Sequence, residues 1–197
     1  MLATPTRPRA FPGRVGWLHE IKWDGVRALA ETADGALRLF NRSGGDISAA
    51  YPDIVAGATG LPDGLLLDGE IIAIDPALGV PTLQAIAPRI HVRDPERASR
   101  LSTERPATFM AFDVLRFDGR DIARQPLEAR RHVLEQLDLP RRSWQVSETY
   151  DDAETISRIA HESGLEGVMS KRLGSPYEPG PAASTGSRPR TAPRWSR

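Results

Sequence analysis

Runs of apolar and polar positions divide the chain into short strands and a few helices. Trp17 to Trp23 reads as a short strand. Asp24-Gly25 is a turn or bulge signal, and Val26 to Glu31 resumes extended structure. Ala33-Asp34-Gly35-Ala36 signals a hairpin turn, with Leu37 to Asn41 as the returning strand. Ser43-Gly44-Gly45-Asp46 breaks that strand, and Asp46 or Ser48 can cap a short helix through Ile54 and Val55. After the turn at Pro62-Asp63-Gly64, Leu65 to Asp75 is the most apolar run of the chain. It predicts a buried strand with an acidic interruption. A short helix is expected over 82–90, and helix in part over 91–106. Ala107 to Phe117 is a second buried strand, closed by Asp118-Gly119. Leu127 to Leu137 has an amphipathic helical pattern started by Pro126. Trp144 to Thr149 is a strand, Asp151 to Ser163 a helix ended by Gly164, and Glu166 to Arg172 the last strand. The pattern predicts an α+β fold: antiparallel sheets packed together, helices outside, and a cleft between the sheets.

Residues 1–16, with three prolines and three arginines, read as an extended lead-in. From Gly174 the chain becomes turn-rich, and residues 181–197 have the composition of a disordered tail. The formal net charge is zero, so no global basic field advertises nucleic acid, although a local patch can still bind it. Cysteine is absent, which excludes disulfides and thiolate metal sites. No apolar run reaches the ~18 residues of a membrane span, and the N-terminus lacks a signal-peptide core. A cytoplasmic protein is expected.

Charge composition draws the eye to two amines. Of 26 lysines and arginines, only Lys22 and Lys171 are lysine. Arginine stays protonated near neutral pH, whereas a lysine can become a nucleophile once its surroundings lower its pKa. Lys22, beside Asp24-Gly25, is either such a nucleophile or a surface lysine on a short strand. Glu70 interrupts an apolar strand, where a carboxylate is costly unless it is paired or binds a metal. In extended structure Asp68, Glu70 and Ile72 share a face, so Glu70 faces solvent or a cleft. Glu166 repeats the pattern at the mouth of the last strand, which ends at Lys171. Each glutamate alone could be an edge charge facing water. Two glutamates and two retained lysines, all on strands, point to a shared cleft.

Lys22-Trp23-Asp24-Gly25-Val26-Arg27 resembles motif I of the covalent nucleotidyltransferases, K-x-D-G-x-R. Arg42-Ser43-Gly44-Gly45-Asp46 resembles the next motif, Asp68-Gly69-Glu70-Ile71 motif III, Phe109 to Asp113 motif IIIa, and Glu166 to Arg172 motif IV. Order and spacing from about Trp17 to Gly180 are similar to ATP-dependent DNA ligases, above all the bacterial end-joining type. The resemblance implies an ATP-grasp-like nucleotidyltransferase domain over 17–180, with ATP as co-substrate and Mg²⁺ or Mn²⁺ as the metal. Lys22 would carry AMP as a phosphoramidate, then pass it to a 5′-phosphate at a nick. Glu20, Arg27, Arg42, Glu70, Phe112 and Lys171 would bind the nucleotide, with Phe112 stacked on adenine and Glu20 near its edge. Glu70 and Glu166 would serve the metal. Asp24, Gly25, Asp68 and Gly69 would support the motifs, Gly25 by letting backbone approach the nucleotide closely. Without the resemblance, Phe112 reads as core packing and Arg27 and Arg42 as surface charges.

Partners implied by the resemblance are nicked double-stranded DNA and end-joining repair proteins, for a monomer associated with the nucleoid. The pattern departs from the family after Gly180. Pro181-Ala182-Ala183-Ser184 stands where the family carries motif V, and no lysine follows Lys171. The resemblance also leads to the expectation that the OB-fold domain that follows in the family is lacking. Weakened adenylylation is therefore expected. A non-catalytic remnant that binds ATP or DNA, an RNA ligase and a capping-type guanylyltransferase are the alternatives.

Overall fold

A computed structural model describes residues 16–139 and 142–179. The expected lead-in before Gly16 and the tail at 181–197 lie outside them. Two Asp-Gly pairs form the tightest hairpins. Asp34 and Gly35 both take positive φ (53° and 71°), as do Asp118 and Gly119 (50° and 71°). That pairing matches the right-handed twist of the strands it joins, and Asp and Gly are the residues that tolerate it. The first turn joins β2 (Val26–Ala33) to β3 (Ala36–Asn41), and the second joins β5 (Thr108–Phe117) to β6 (Arg120–Asp121).

The larger sheet has six strands in the order β3-β2-β4-β5-β6, with β4 at Leu66–Ile72 and β7 (Trp144–Val146) also paired to β5. The smaller sheet has the order β8-β1-β9, from Thr149–Tyr150, Trp17–Ile21 and Val168–Arg172. One expectation is corrected here. The strand expected over Trp144 to Thr149 is two strands, because the chain changes sheets at Ser147-Glu148. The sheets are antiparallel as expected, apart from β7, which runs parallel to β5.

The predicted helices appear, most of them shortened. A 3₁₀ turn at Ser48–Ala50 precedes α1 (Pro52–Ala56), and Asp46 accepts a hydrogen bond from the Ser48 N–H at 2.8 Å. The helix α2 (Leu83–Ile86) follows, then α3 (Pro95–Glu104) capped by Asp94, α4 (Leu127–Gln136) and α5 (Ala153–Glu162) capped by Asp152. One core joins the large sheet to its helices. Leu39, Ile54, Leu67, Ile71, Phe109 and Trp144 are all buried in it. Trp144 lies 4.7 Å from Phe109, centroid to centroid, and its indole N–H donates to the Ile54 carbonyl at 3.1 Å. Under α1 and α3, fully buried Arg89 is held by Asp53, by two backbone carbonyls and by the face of Tyr51.

Candidate active site

The connection Lys22–Gly25 crosses from the small sheet to the large one, and a cleft of about 410 Å³ opens around it. The Lys22 N–H donates to the Gly167 carbonyl at 2.9 Å, extending the β1–β9 ladder by one residue. That register places the Lys22 ammonium against the Glu166 carboxylate, and the two form an ion pair. Both side chains are over a third exposed (42% and 39%), so the pair is well screened. Trp23 is tethered by its indole N–H to the Ser147 hydroxyl, and Asp24 accepts from the Leu83 N–H at the start of α2.

Opposite stand β2, β4 and β5. Arg27 and Glu70 are cross-strand partners, and both line the cleft. Asp68, wholly buried one pleat away, takes two hydrogen bonds from Arg27 at 3.0 and 2.5 Å. The Tyr177 hydroxyl donates to Asp68 at 2.8 Å and accepts from Arg27 at 3.2 Å. Burial alone would lower the Arg27 pKa. Asp68 and Tyr177 outweigh it, and the guanidinium is held firmly charged. Burial, reinforced by Asp68, pushes the Tyr177 phenol up. Glu70 is pushed up to about 8, first by burial, with Asp68 and Asp24 adding to it and Arg27 and Lys22 opposing it.

Phe112 reaches the cleft through a break in register. Asp68 pairs with Asp113 and Gly69 with Ala111, so Phe112 is the extra residue of a bulge on β5. A bulge re-aims a side chain and is common beside functional clefts. The Lys171 ammonium lies 4.6 Å from the Phe112 ring centroid, and the Arg27 guanidinium carbon 5.6 Å. Lys171 is buried and donates to both oxygens of Glu20, at 3.0 and 2.9 Å. Burial pushes the Glu20 pKa up, while Lys171 and Arg131 pull it down.

Nine of the residues singled out by the sequence therefore line one cleft: Glu20, Lys22, Asp24, Gly25, Arg27, Glu70, Phe112, Glu166 and Lys171. Asp68 and Gly69 lie beneath its wall. Arg42 does not line it. It sits exposed on the turn after β3, which Asn41 organises by accepting from Ser43 and Gly45. Gly25 has a reason of its own to be glycine. A Cβ there would collide with the Ile71 carbonyl of β4. At Gly69 a Cβ would meet the Phe109 ring at 2.5 Å. Sequence reading missed Tyr177, Ser147 and Arg131, which brace the cleft from behind. Among the described residues, no cluster of three or more acids or histidines forms a metal cage. What the cleft offers is a primary amine, carboxylates and an aromatic face, a set matched to a planar anionic ligand with a cation.

Two sheets flanking such a cleft define the nucleotidyltransferase fold of the ligase structures that this chain matches. Within that class, the chain belongs to the family of ATP dependent DNA ligase domains, whose profile matches residues 1–185. It is 38% identical over 167 residues to the multifunctional non-homologous end joining protein LigD of Mycobacterium bovis, covering 83% of this chain and 20% of that protein. It is 30% identical to the SPbeta prophage-derived DNA ligase-like protein LigB of Bacillus subtilis, covering 82% of this chain and 56% of that one. A mycobacterial DNA ligase D structure, complexed with ATP and MES, superposes with a TM-score of 0.68 at 36% identity. That match covers 83% of this chain and 50% of that structure. The chain thus spans about half or less of these relatives' lengths.

Proposed function

We propose that the chain is the adenylation unit of an ATP-dependent DNA ligase, with residues 17–180 as its working domain. The observation that carries this reading is the convergence of Lys22, Glu70, Phe112 and Glu166 on one cleft. Adenine lies against Phe112, and the triphosphate points toward Lys22. The Lys22 amine must shed its proton and its pairing with Glu166 before it attacks the α-phosphate. A phosphorus–nitrogen bond forms, the α–β bridging bond breaks, and pyrophosphate leaves with the electron pair. Arg27, locked in plane by Asp68 and Tyr177, presents a rigid donor to the ribose or phosphate. The 5′-phosphate of a nick then takes AMP from Lys22, and a 3′-hydroxyl displaces AMP to seal the strand.

Glu70 and Glu166 suit a hard divalent cation, since magnesium binds through one or two carboxylates together with substrate phosphates. When bound, it would neutralise phosphate charge as phosphoryl transfer requires. Nicked duplex DNA is the second substrate, and end-joining repair, on the chromosome in the cytoplasm, is the setting. Among the described residues, no helix is long and apolar enough to cross a membrane.

Incubation with α-labelled ATP and Mg²⁺, followed by a nicked duplex, tests the reading. Label should appear on the protein, survive denaturation, and move to the 5′-phosphate of the nick. Label from GTP alone, or nucleotide binding without covalent label, would overturn it.

A further inference from the structure

Arg131, on α4, has no part in the motifs of the cleft, yet it is buried directly behind them. Two of its nitrogens are anchored. Nε donates to Glu135 at 2.9 Å, and one terminal nitrogen donates to the Ser147 carbonyl. Among the described residues the other terminal nitrogen has no hydrogen-bond partner; it is buried and stands 3.7 Å from the Glu20 carboxylate. Ser147 in turn receives the indole N–H of Trp23. A buried guanidinium donor left unsatisfied is costly, so its placement needs a reason beyond packing.

The charges facing Glu20 supply one. Lys171, from β9, holds both of its oxygens. From β5, Asp113 repels it, although Asp113 is itself held by Arg130 at 2.8 and 2.9 Å. Arg131, from α4, is the second cation facing Glu20 among the described residues. Lys171 also lies over the Phe112 ring, so Glu20 stands at the ring end of the cleft. We propose that Arg131 is a positioning residue: braced by Ser147 and Glu135, it holds Glu20 as an oriented carboxylate that accepts from the exocyclic amine of a purine stacked on Phe112. This rests on the adenylation reading above. Burial favours the protonated form of Glu20, and a protonated Glu20 donates where it should accept, favouring a 6-oxo purine over a 6-amino one.

The test compares wild type, Arg131→Met, Arg131→Gln, Arg131→Lys, Glu20→Gln and the Glu20→Gln/Arg131→Met double variant. Half-saturating ATP and inosine triphosphate are measured from pH 6 to 9 by covalent labelling under single-turnover conditions. Wild type should prefer ATP by a constant factor across that range. Relative to wild type, Arg131→Met should lose ATP affinity by about tenfold at the acid end and gain relative affinity for inosine triphosphate there. Arg131→Lys should stay close to wild type, and in the double variant the ratio of ATP to inosine triphosphate affinity should not vary with pH. An equal, pH-independent loss for both nucleotides in folded Arg131→Met or Arg131→Gln would make Arg131 merely structural and overturn the proposal. Unchanged affinities would overturn it equally, as would loss of the fold in both variants. Failure of wild type to label would instead sink the adenylation reading itself.

Discussion

Binding of magnesium and nucleotide should drive a proton off Glu70. Burial at the cleft wall pushes that carboxyl up to about 8. At pH 7, one unit below, about 90% of molecules carry the proton. A hard cation takes the carboxylate form, so its arrival should release about 0.9 proton at pH 7, about 0.5 at pH 8 and about 0.1 at pH 9. Titration calorimetry in two buffers of different ionisation heat counts these protons. Glu70→Gln should release fewer by those amounts, with the difference vanishing at pH 9. Equal release from wild type and variant at pH 7 would rule out Glu70 as the source of the protons. The same shift governs stability. The folded pKa is raised above the ordinary 4.5, so the contribution of Glu70 is complete below that value and lost as pH climbs through about 8. Nucleotide-free wild type should lose about 2–4 kcal/mol across that window, after allowance for partial exposure, and Glu70→Gln should flatten the loss.

Arg89→Met should lower stability by about 3–5 kcal/mol in urea denaturation, because it strands Asp53 beside an apolar side chain. Gly69→Ala should cost about 1–3 kcal/mol in thermal denaturation, since its Cβ must push the Phe109 ring out of the core. Phe112→Leu should raise half-saturating ATP by about tenfold and leave the labelling rate at saturation within a few-fold, because it removes stacking and keeps the fold.

Local chemistry was legible where it repeats a short-range rule. The Asp34-Gly35 and Asp118-Gly119 turns follow from positive φ at both central residues. Glu70, which breaks an apolar strand, and Glu166, just ahead of another, do face a common cleft with Lys22. What stayed hidden depends on long-range pairing. Trp144 to Thr149 reads as one strand because both halves are extended, and nothing local tells which sheet each half joins. The bulge that aims Phe112 exists only relative to β4. Arg131 sits on a charged amphipathic helix, where an arginine looks like a solvated residue until the sheet behind it is known. Tyr177 lies in a Pro-rich turn, and its hydroxyl gains meaning only once Asp68, 109 residues earlier, is seen to accept it.

Peptide mapping of the labelled protein locates the nucleophile. After incubation with ATP and Mg²⁺, AMP should be found on the peptide that carries Lys22, and Lys22→Arg should abolish it. AMP on Lys171 or on any other residue, or undiminished labelling of Lys22→Arg, would rule out Lys22 as the nucleophile.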